Sequence, residues 1–495
     1  MKGAGRSSII SLTGSVVSAA AGFVLSLVLA RALGTVGAGV VFQLISVFTI
    51  ATAVAKLGLD TTAVWLLPRL RLDGHHDERR AIGVLIGGSI LGGCAAGAVT
   101  SLLAPVLGAG TEDLVRLLQL SGLFLPASSF VVVALAVTRG LGGIRDYVLI
   151  GSVGLPVGRL AAVAVAAAFI PSAVMAGFVW LAMLIVAAVP TAAVVISAAR
   201  RLSAPDDRAL SVQDLLPRIG AFAGPRTVSA IIEQALLWLD VLIVGLLAGP
   251  AAAGVYGVAS RLVQAGTIPS TSMRIVVAPQ FSHMIHRGQY EQLSRFYTRT
   301  TQWIVLSSVP IYVILVVMAT PILSLFGSGF SSGSTALMIM CIGALVSACT
   351  GNVQSLLLMS GRSVWAAMNK IIVLAVSVTL LFALIPGYGI VGAAVASTVS
   401  VSLDAVLASV QVRRGTRVRA DAKRVLFAVA VSALATAVPA GLARLLIGDT
   451  ALALILGAAA AIVVWAASIV LLRRQFALAT IRDVLKRRNQ PDGGQ

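Results

Sequence analysis

Three charged residues recur at intervals of seven inside one apolar stretch of the chain, residues 219–247. They are Arg226, Glu233 and Asp240. Seven residues is close to two turns of an α-helix, so all three lie on one face of a single helix. At about 1.5 Å per residue, the stretch is long enough to cross a hydrocarbon core of about 30 Å. Because a charge that faces lipid is costly, this face is predicted to line a protein interior or a water-filled cavity.

Six further ionisable residues lie inside apolar stretches: Lys56, Asp60, Arg159, Arg261, Arg274 and Asp404. Arg159 is the hardest of these to explain as a structural ion pair, and its planar guanidinium donates hydrogen bonds in a fork that matches phosphate oxygens. It follows Gly154 and Pro156 and directly succeeds Gly158, where a break in the helix can help to accommodate its charge. Distance from the predicted span ends places Arg159 and Glu233 near the midplane of the membrane, and Asp240 and Arg261 in its outer third. The other five lie in its cytoplasmic third.

These positions divide the nine residues into two predicted roles. The candidates for binding a substrate in a cavity are Arg159, Arg226, Glu233, Arg274 and Lys56. The candidates for gating or structural ion pairs are Asp240, Arg261, Asp60 and Asp404. Lys56 and Asp60 are four residues apart and can pair with each other on one helix face, while Asp240 and Arg261 share a depth on neighbouring spans. For any single residue, an ion pair that only holds helices together is an alternative to substrate binding.

Composition indicates what kind of protein carries these charges. Hydrophobic residues make up 58% of the chain and charged residues 11%, and the mean hydropathy is +0.99. A soluble domain of this size needs far more charge to cover its surface. The apolar runs predict an all-α polytopic membrane protein with about fourteen transmembrane helices, at 9–33, 38–66, 82–107, 117–138, 148–170, 175–198, 219–247, 252–278, 303–326, 334–360, 371–385, 390–412, 425–447 and 450–472.

The net charge of +19 follows from membrane topology. When alternate connections are assigned to one side of the membrane, that side holds 29 of the 37 lysine and arginine residues, including those of both termini. This asymmetry follows the positive-inside rule and predicts that both termini are cytoplasmic. We therefore expect no nucleic acid partner. The sequence also shows no metal-ligand spacing around Cys94, Cys341 and Cys349 and no catalytic constellation, so we expect no cofactor, no metal site and no enzyme activity.

An internal duplication organises the helices. Gly34 and Gly39 match Gly249 and Gly254 at an offset of 215 residues, and Ile170, Pro171 and Gly177 match Ile385, Pro386 and Gly392 at the same offset. Each copy holds six spans, so both copies enter the membrane from the same side and the repeats are parallel, with a pseudo-two-fold axis along the membrane normal and a cavity between the lobes. The predicted organisation is an N-terminal six-helix lobe at 1–198, a cytoplasmic linker at 199–218, a C-terminal six-helix lobe at 219–412, an extra helix pair at 413–472 and a cytoplasmic basic tail at 473–495. In the linker, Ser211 and Asp214 are predicted to cap a short interfacial helix before Pro217.

Four segments resemble the polysaccharide (Wzx-type) flippases of the multidrug/oligosaccharidyl-lipid/polysaccharide exporter superfamily. They are LARALGTVGAG at 29–39, LGLDTTAVWLLPRL at 57–70, FAGP with the following LDVLIVGLLAGPAAAGVYGVASRL at 222–262, and IPGYGIVGAAVAS at 385–397. The resemblance implies a transporter that moves polyprenyl-diphosphate-linked oligosaccharides from the inner to the outer leaflet of the bacterial cell membrane by alternating access. The implied partners are the lipid-linked glycan, membrane lipids and enzymes of polysaccharide synthesis.

Other functions compete with this prediction. A flippase for a peptidoglycan-precursor lipid differs mainly in the headgroup that it binds. A cation-coupled multidrug exporter of the same superfamily often carries an acidic residue in its first helix, whereas residues 9–33 contain none. A membrane glycosyltransferase needs carboxylates or an Arg/His cluster in sizeable outer loops, and the predicted outer loops are short and carry few charges. The Gly-rich RGLGGIRD at 139–146 lacks the strand and lysine of a phosphate-binding loop.

Overall fold

The computed structural model describes residues 2–72, 77–108, 110–202, 211–416, 418–472 and 475–476, and the side chains of these residues except 2–12 and 72. Every long regular element in these ranges is an α-helix. The helices are α1 (Lys2–Ala55), α2 (Leu59–Leu72), α3 (Glu78–Leu107), α4 (Glu112–Gly140), α5 (Ile144–Asp146), α6 (Leu155–Phe169), α7 (Ala173–Arg200), α8 (Val212–Ala248), α9 (Pro250–Ala265), α10 (Ile268–His286), α11 (Tyr290–Val317), α12 (Ala319–Ser324), α13 (Ser334–Cys349), α14 (Val353–Met359), α15 (Ser363–Thr416), α16 (Ala422–Ile447) and α17 (Ala451–Leu471), with a π-helix at Tyr147–Gly154 and a 3₁₀ helix at Phe330–Gly333.

The described residues contain eleven helical segments that are long and apolar enough to span a membrane. Two of them, Thr13–Arg71 and Ser363–Thr416, are 59 and 54 residues long, which is long enough to cross twice. Each turns at a glycine with non-helical angles, Gly34 and Gly389. Counting each of these twice and adding the broken pair α9–α10 gives fourteen spans. The predicted fold class, an all-α polytopic membrane protein, is confirmed.

Contacts at the first turn of each copy confirm the register of the duplication at this end. Gly34 (φ 66°, ψ −169°) and Gly249 (φ 88°, ψ 168°) adopt similar conformations at the same point of the two copies. A Cβ atom on Gly39 would lie 1.8 Å from the carbonyl oxygen of Pro250, and one on Gly254 would lie 2.1 Å from that of Thr35. Thr35 and Pro250 are themselves 215 residues apart, so the two segments make the same contact reciprocally. Such a reciprocal contact is what a local two-fold axis produces.

The second span of each copy is broken by a short turn. In the first copy, α1 and α2 are separated by residues 56–58, where Leu57 and Gly58 have positive φ. In the second copy, α9 and α10 are separated at Gly266 and Thr267. At an offset of 215, Gly58 corresponds to Met273, so the second break comes seven residues earlier in its helix. The register also shifts at the far end, where the first copy turns at Ile170–Ser172 but the second continues through Pro386 to Gly389.

The chain forms two compact units. The first contains residues 1–258 and 381–390, and the second contains residues 259–380 and 391–495. The first unit therefore includes α8 and the start of α9, which the sequence assigned to the C-terminal lobe. A buried core made by α2, α3, α4 and α8 explains this assignment, since Leu215, Ile219 and Ala223 of α8 pack in it with Leu66 and Leu85. The lobes at 1–198 and 219–412 describe the duplication and stay a prediction as domains.

Helix α8 begins with the capping box predicted from the sequence. Asp214 N donates to Ser211 Oγ, and Ser211 N donates to Asp214 Oδ2, each over 3.2 Å. The helix then continues through Pro217 into the span, so the short separate interfacial helix predicted here is wrong. A proline inside a helix removes one backbone hydrogen bond without always ending the helix. Residues 203–210 of the predicted linker, and 473–474 and 477–495 of the predicted tail, lie outside the described residues.

The extra helix pair at the C-terminal end forms a hairpin, α16–α17, in the second unit. Trp465 Nε1 donates to the carbonyl oxygen of Leu306 at 3.0 Å, and Trp303 Nε1 donates to that of Phe476 at 3.3 Å. Both bonds tie the hairpin and the residues after it to α11. Arg444 Nη1 adds a hydrogen bond to the carbonyl oxygen of Val317 at 2.6 Å. The pair is thereby fixed to the helices of the second copy.

Candidate functional site

Arg159 lies on α6, immediately after a stretch of π-helix. Residues Tyr147–Gly154 form the π-helix, and Pro156 stands in the first turn of α6. A π-helix inserts an extra residue into the helical turn and is frequent at functional positions. The sequence suggested a break near Gly154 and Pro156, but the helix continues there and changes from π-helical to α-helical winding. The local winding sets the direction in which Arg159 leaves the helix.

The guanidinium of Arg159 packs on Trp180 of the next helix, α7. Its Cζ atom lies 3.6 Å from the centre of the indole ring, and Nε donates to the carbonyl oxygen of Trp180 at 3.2 Å. Trp180 is 5% exposed and makes an edge contact with Phe48 of α1. Among the described residues no acidic side chain pairs with Arg159. Nε makes the one hydrogen bond of this guanidinium within the described residues, so the two terminal nitrogens can still donate to an anion.

A second group of charges lies at the break between α1 and α2. Lys56 Nζ donates to Asp60 Oδ2 at 2.8 Å, and the two side chains are 18% and 19% exposed. The ion pair expected from their spacing is thus present. Asp60 Oδ1 is buried and accepts no hydrogen bond from the described part of the chain. An unsatisfied carboxylate oxygen of this kind is costly, so it marks a place where a water or a ligand donor binds favourably.

Arg226 of α8 packs against the same break. A Cβ atom on Gly58 would lie 3.1 Å from Arg226 Cβ and 2.6 Å from the carbonyl oxygen of Ala223, so the turn and α8 are in close contact. Arg226 Nε donates to Thr61 Oγ1 over 3.5 Å, and no carboxylate within the described ranges pairs with it. The structure therefore brings Lys56, Asp60 and Arg226 together, with Thr61 as a neutral partner. We call these four residues the break cluster.

Glu233 and Asp240 lie further along α8 than Arg226. Glu233 is exposed and has no ion-pair partner among the described residues. Arg159, the other residue predicted to lie near the midplane, packs on Trp180 and does not pair with Glu233 in this structure. Asp240 accepts hydrogen bonds from the backbone N of Val241 at 2.8 Å and from the hydroxyl of Tyr256 at 2.9 Å. Since Tyr256 is fully buried, it fixes the position of this carboxylate.

The remaining candidates lie in the second unit. Asp404 pairs with Lys370 at 2.7 Å, and the side chains are 18% and 34% exposed. Asp404 therefore has an ion-pair partner in the second unit, and its structural role stays a prediction. Arg261 Nη1 donates to Gln264 Oε1 at 2.8 Å, and the pairing of Arg261 with Asp240 stays a prediction. Arg274 is exposed on α10.

Sequence reasoning missed the neutral and aromatic partners of these charges. Trp180, Thr61 and Tyr256 each lie on a neighbouring helix, so their spacing along the chain gives no signal. Lys370 was assigned to a cytoplasmic loop because the apolar run starts at residue 371, whereas α15 begins at Ser363. An apolar run locates the membrane core of a helix but not its ends, since paired charges can extend the helix beyond the run.

Comparison with known proteins agrees with this architecture. The chain matches the family model described as "Polysaccharide biosynthesis protein" over residues 4–285, more than half of its length. No curated protein matches it in sequence.

Solved transporter structures have similar folds. The lipid II flippase MurJ in an inward closed conformation has a TM-score of 0.71 at 12% identity, covering 95% of this chain and 99% of its own. An inward-facing multidrug resistance MATE family transporter of the MOP superfamily scores 0.65 at 14% identity, covering 81% and 95%.

A MOP superfamily transporter from Pyrococcus furiosus is a more distant match, with a TM-score of 0.53 at 14% identity over 83% of this chain and 95% of its own. At these identities the likenesses show the fold alone. The family match carries more, because it is a match of sequence over most of the first copy and the start of the second. The chain is a multi-pass membrane protein with the fold of the MOP-superfamily transporters, and it belongs to the polysaccharide biosynthesis protein family.

Proposed function

We propose that this protein is a flippase that moves polyprenyl-diphosphate-linked oligosaccharide, or a related lipid-linked glycan, from the inner to the outer leaflet by alternating access. The observation that carries the proposal is Arg159, whose guanidinium is held within a membrane span by Trp180 while its terminal nitrogens have no partner in the described structure. In a family of polysaccharide biosynthesis proteins, an unpaired arginine at this depth suits the anionic diphosphate of a lipid-linked sugar.

The break cluster supplies a second position for the same diphosphate. Asp60 neutralises Lys56, so the cluster carries a net positive charge through Arg226. Counted from Arg218, the last residue of the predicted linker, Arg226 lies about 12 Å along α8, below the membrane surface. Arg159, near the midplane, lies deeper. Two cationic positions at successive depths let the headgroup exchange one for the other without an uncompensated charge in the membrane.

A peptidoglycan-precursor lipid is the second candidate substrate. The similarity to the lipid II flippase MurJ, which covers 95% of this chain, supports it. Both substrates are prenyl diphosphates, so Arg159 and Arg226 serve either one, and the sugars distinguish them. In both cases we propose a bacterial cell membrane location with cytoplasmic termini and synthesis enzymes as partners.

The test is flipping in vesicles that contain the purified protein. Fluorescent polyprenyl-diphosphate oligosaccharide and fluorescent lipid II are placed in both leaflets, and loss of the outer-leaflet signal to a membrane-impermeant quencher is followed over time. Vesicles with wild-type protein should expose the inner-leaflet pool of one substrate, and vesicles with Arg159→Ala should not. Export of a cationic dye with no flipping of either lipid would instead establish a multidrug exporter.

A further inference from the structure

An apolar cavity of about 650 Å³ opens in the first unit between α1, α3 and α8. Its walls include Val47 of α1 and Leu57 of the turn after α1, Leu91 and Leu107 of α3, and Leu239 and Leu242 of α8. Thr100 is the only lining residue with a polar side chain, and its hydroxyl is already bonded to the carbonyl oxygen of Ala96. The volume lies within the range of about 300–1,000 Å³ typical of small-molecule sites. Its chemistry suits a hydrocarbon.

The cavity extends along α3. The α3 residues that line it extend from Leu91 to Leu107, sixteen residues that cover about 24 Å at 1.5 Å per residue. This is most of a hydrocarbon core of about 30 Å. A site of this length along one helix suits an extended chain better than a compact molecule.

One end of the cavity meets the break cluster. Leu57 lines the cavity, and its side chain would contact a Cβ atom on Gly92 of α3 at 2.9 Å. The residue before it is Lys56, and the residue after it, Gly58, contacts Arg226. Three consecutive residues thus connect an apolar cavity to a cationic group. A ligand that occupies both has a hydrocarbon chain and an anionic head.

The depth of Arg226 selects among such ligands. A headgroup layer is about 5–8 Å thick on each side of the membrane, whereas Arg226 lies about 12 Å along α8 from the linker. The phosphate of a resident phospholipid stays in the headgroup layer and does not reach this depth. A lipid that is being transported must bring its phosphate there.

We propose that this cavity binds the prenyl chain of the lipid-linked substrate while its diphosphate contacts Arg226, which rests on the proposed function. The orientation agrees with the predicted topology. The break cluster lies toward the cytoplasmic side and Leu107 toward the outer side, so the chain points to the bilayer interior, as it does for a lipid of the inner leaflet. The cavity therefore holds the substrate before transport.

The test uses the full-length protein in vesicles of phosphatidylethanolamine and phosphatidylglycerol. The probe is a polyprenyl diphosphate with a photoactivatable diazirine in its chain. After irradiation, labelled peptides should come from α1 and α3. Ala95→Phe, which fills the cavity from α3, should reduce labelling at least ten-fold. The matched control is Ala98→Phe, a residue of the same type, also exposed on α3 but outside the cavity lining, which should label as the wild type does.

A second variant tests the headgroup without relying on the folding of Ala95→Phe. Arg226→Gln should weaken competition by unlabelled polyprenyl diphosphate about ten-fold and leave competition by uncharged polyprenol unchanged. Labelling outside α1 and α3, equal loss in Ala95→Phe and Ala98→Phe, or equal competition by added phosphatidylglycerol would overturn the proposal. The same vesicles report flipping, so the two proposals fail separately. Flipping with labelling elsewhere removes only the cavity assignment, and labelling that depends on Ala95 without flipping removes only the transport function.

Discussion

Replacing Arg159 by lysine separates the charge of this residue from its geometry. Lysine keeps a positive charge but loses the planar fork and the Nε hydrogen bond to the carbonyl oxygen of Trp180. If a phosphate accepts two parallel bonds from the fork, the variant loses at least one hydrogen bond to a charged group, worth about 1.5–3 kcal/mol. Since about 1.4 kcal/mol is a factor of ten, Arg159→Lys should flip substrate about 10- to 100-fold more slowly. Arg159→Ala, which loses the charge as well, should show no flipping.

The same substitutions should have little effect on folding. Arg159→Ala loses a contact with the Trp180 ring that is worth about 2 kcal/mol when desolvated. It also removes a charge whose burial in the membrane costs about 2.5–3.5 kcal/mol on insertion scales. The variant also loses the Nε hydrogen bond to the Trp180 carbonyl oxygen, worth about 1.5–3 kcal/mol for a charged donor. The losses exceed the gain by about 0–2.5 kcal/mol, so the melting temperature in detergent should fall by only a few degrees. Trp180→Phe, which keeps an aromatic face for the guanidinium, is the matched control and should retain most of the activity.

The assay is initial flipping rate per folded protein, measured in vesicles and corrected by the melting curve. Wild-type rates for Arg159→Ala would refute the reasoning and leave Arg159 as a residue that only joins α6 to α7. Loss of folding in Arg159→Ala would refute the stability estimate, and Arg159→Lys would then decide the role in transport. A fall in rate with Arg159→Lys but normal folding is the outcome that the geometry requires.

Three further predictions concern the scaffold. Gly39→Ala and Gly254→Ala should each destabilise the protein by about 1–3 kcal/mol or more, because the added methyl group meets a backbone carbonyl that cannot move aside. The control is Gly22→Ala, which has no atom within 4 Å of the new Cβ and should melt at the wild-type temperature. Lys370→Gln or Asp404→Asn alone should lower stability by up to about 3 kcal/mol by leaving a half-buried charge unpaired. The double variant should recover most of the lost stability. Additive losses would show that the two residues are not coupled. In a cysteine-free background, Glu112→Cys should react with an impermeant thiol reagent in intact cells and Glu291→Cys should not. The two exposed glutamates lie on opposite sides of the membrane in the predicted topology. The reverse pattern would contradict the fourteen-span arrangement.

Much of the architecture could be predicted because it depends on local sequence. Fourteen apolar runs, the turn at Gly34 and the Lys56–Asp60 pair need only hydropathy, a glycine and a spacing of four. The break after Ala55 could not be predicted in the same way. Leu57 has a positive φ, which is rare for a bulky residue and persists only because the packing of α3 and α8 around the turn holds it. A constraint made by distant helices leaves no pattern in the segment itself.

The charged residues of the candidate site could be predicted from the sequence, but which of them lie close together could not. Hydropathy identifies Arg159 and Arg226 as charged residues inside apolar spans. Because a charge inside the membrane costs free energy, such residues are candidates for a functional role. Which of them meet depends on helix packing. Arg226 joins Lys56 and Asp60 because α8 packs on α2 through Ile219 and Ala223, whereas the sequence had grouped it with Glu233 and Asp240 on its own helix. Spacing along one helix fixes a shared face and says nothing about the neighbour that the face meets.

The positions that keep the 215-residue register and those that break it have different roles. Gly34, Thr35 and Gly39 correspond to Gly249, Pro250 and Gly254. At this turn the backbone of each copy lies against that of the other, so Gly39 and Gly254 have no room for a side chain. The charges are not duplicated: Lys56, Arg159 and Asp404 correspond to Thr271, Leu374 and Val189. A scaffold with two-fold related contacts thus carries charges that are not two-fold related. Arg159 and Arg226 in the first unit have no carboxylate partner among the described residues, whereas Lys370 in the second unit is neutralised by Asp404. We therefore expect variants of Arg159 and Arg226 to change the affinity for an anionic headgroup, and variants of the Lys370–Asp404 pair to change stability.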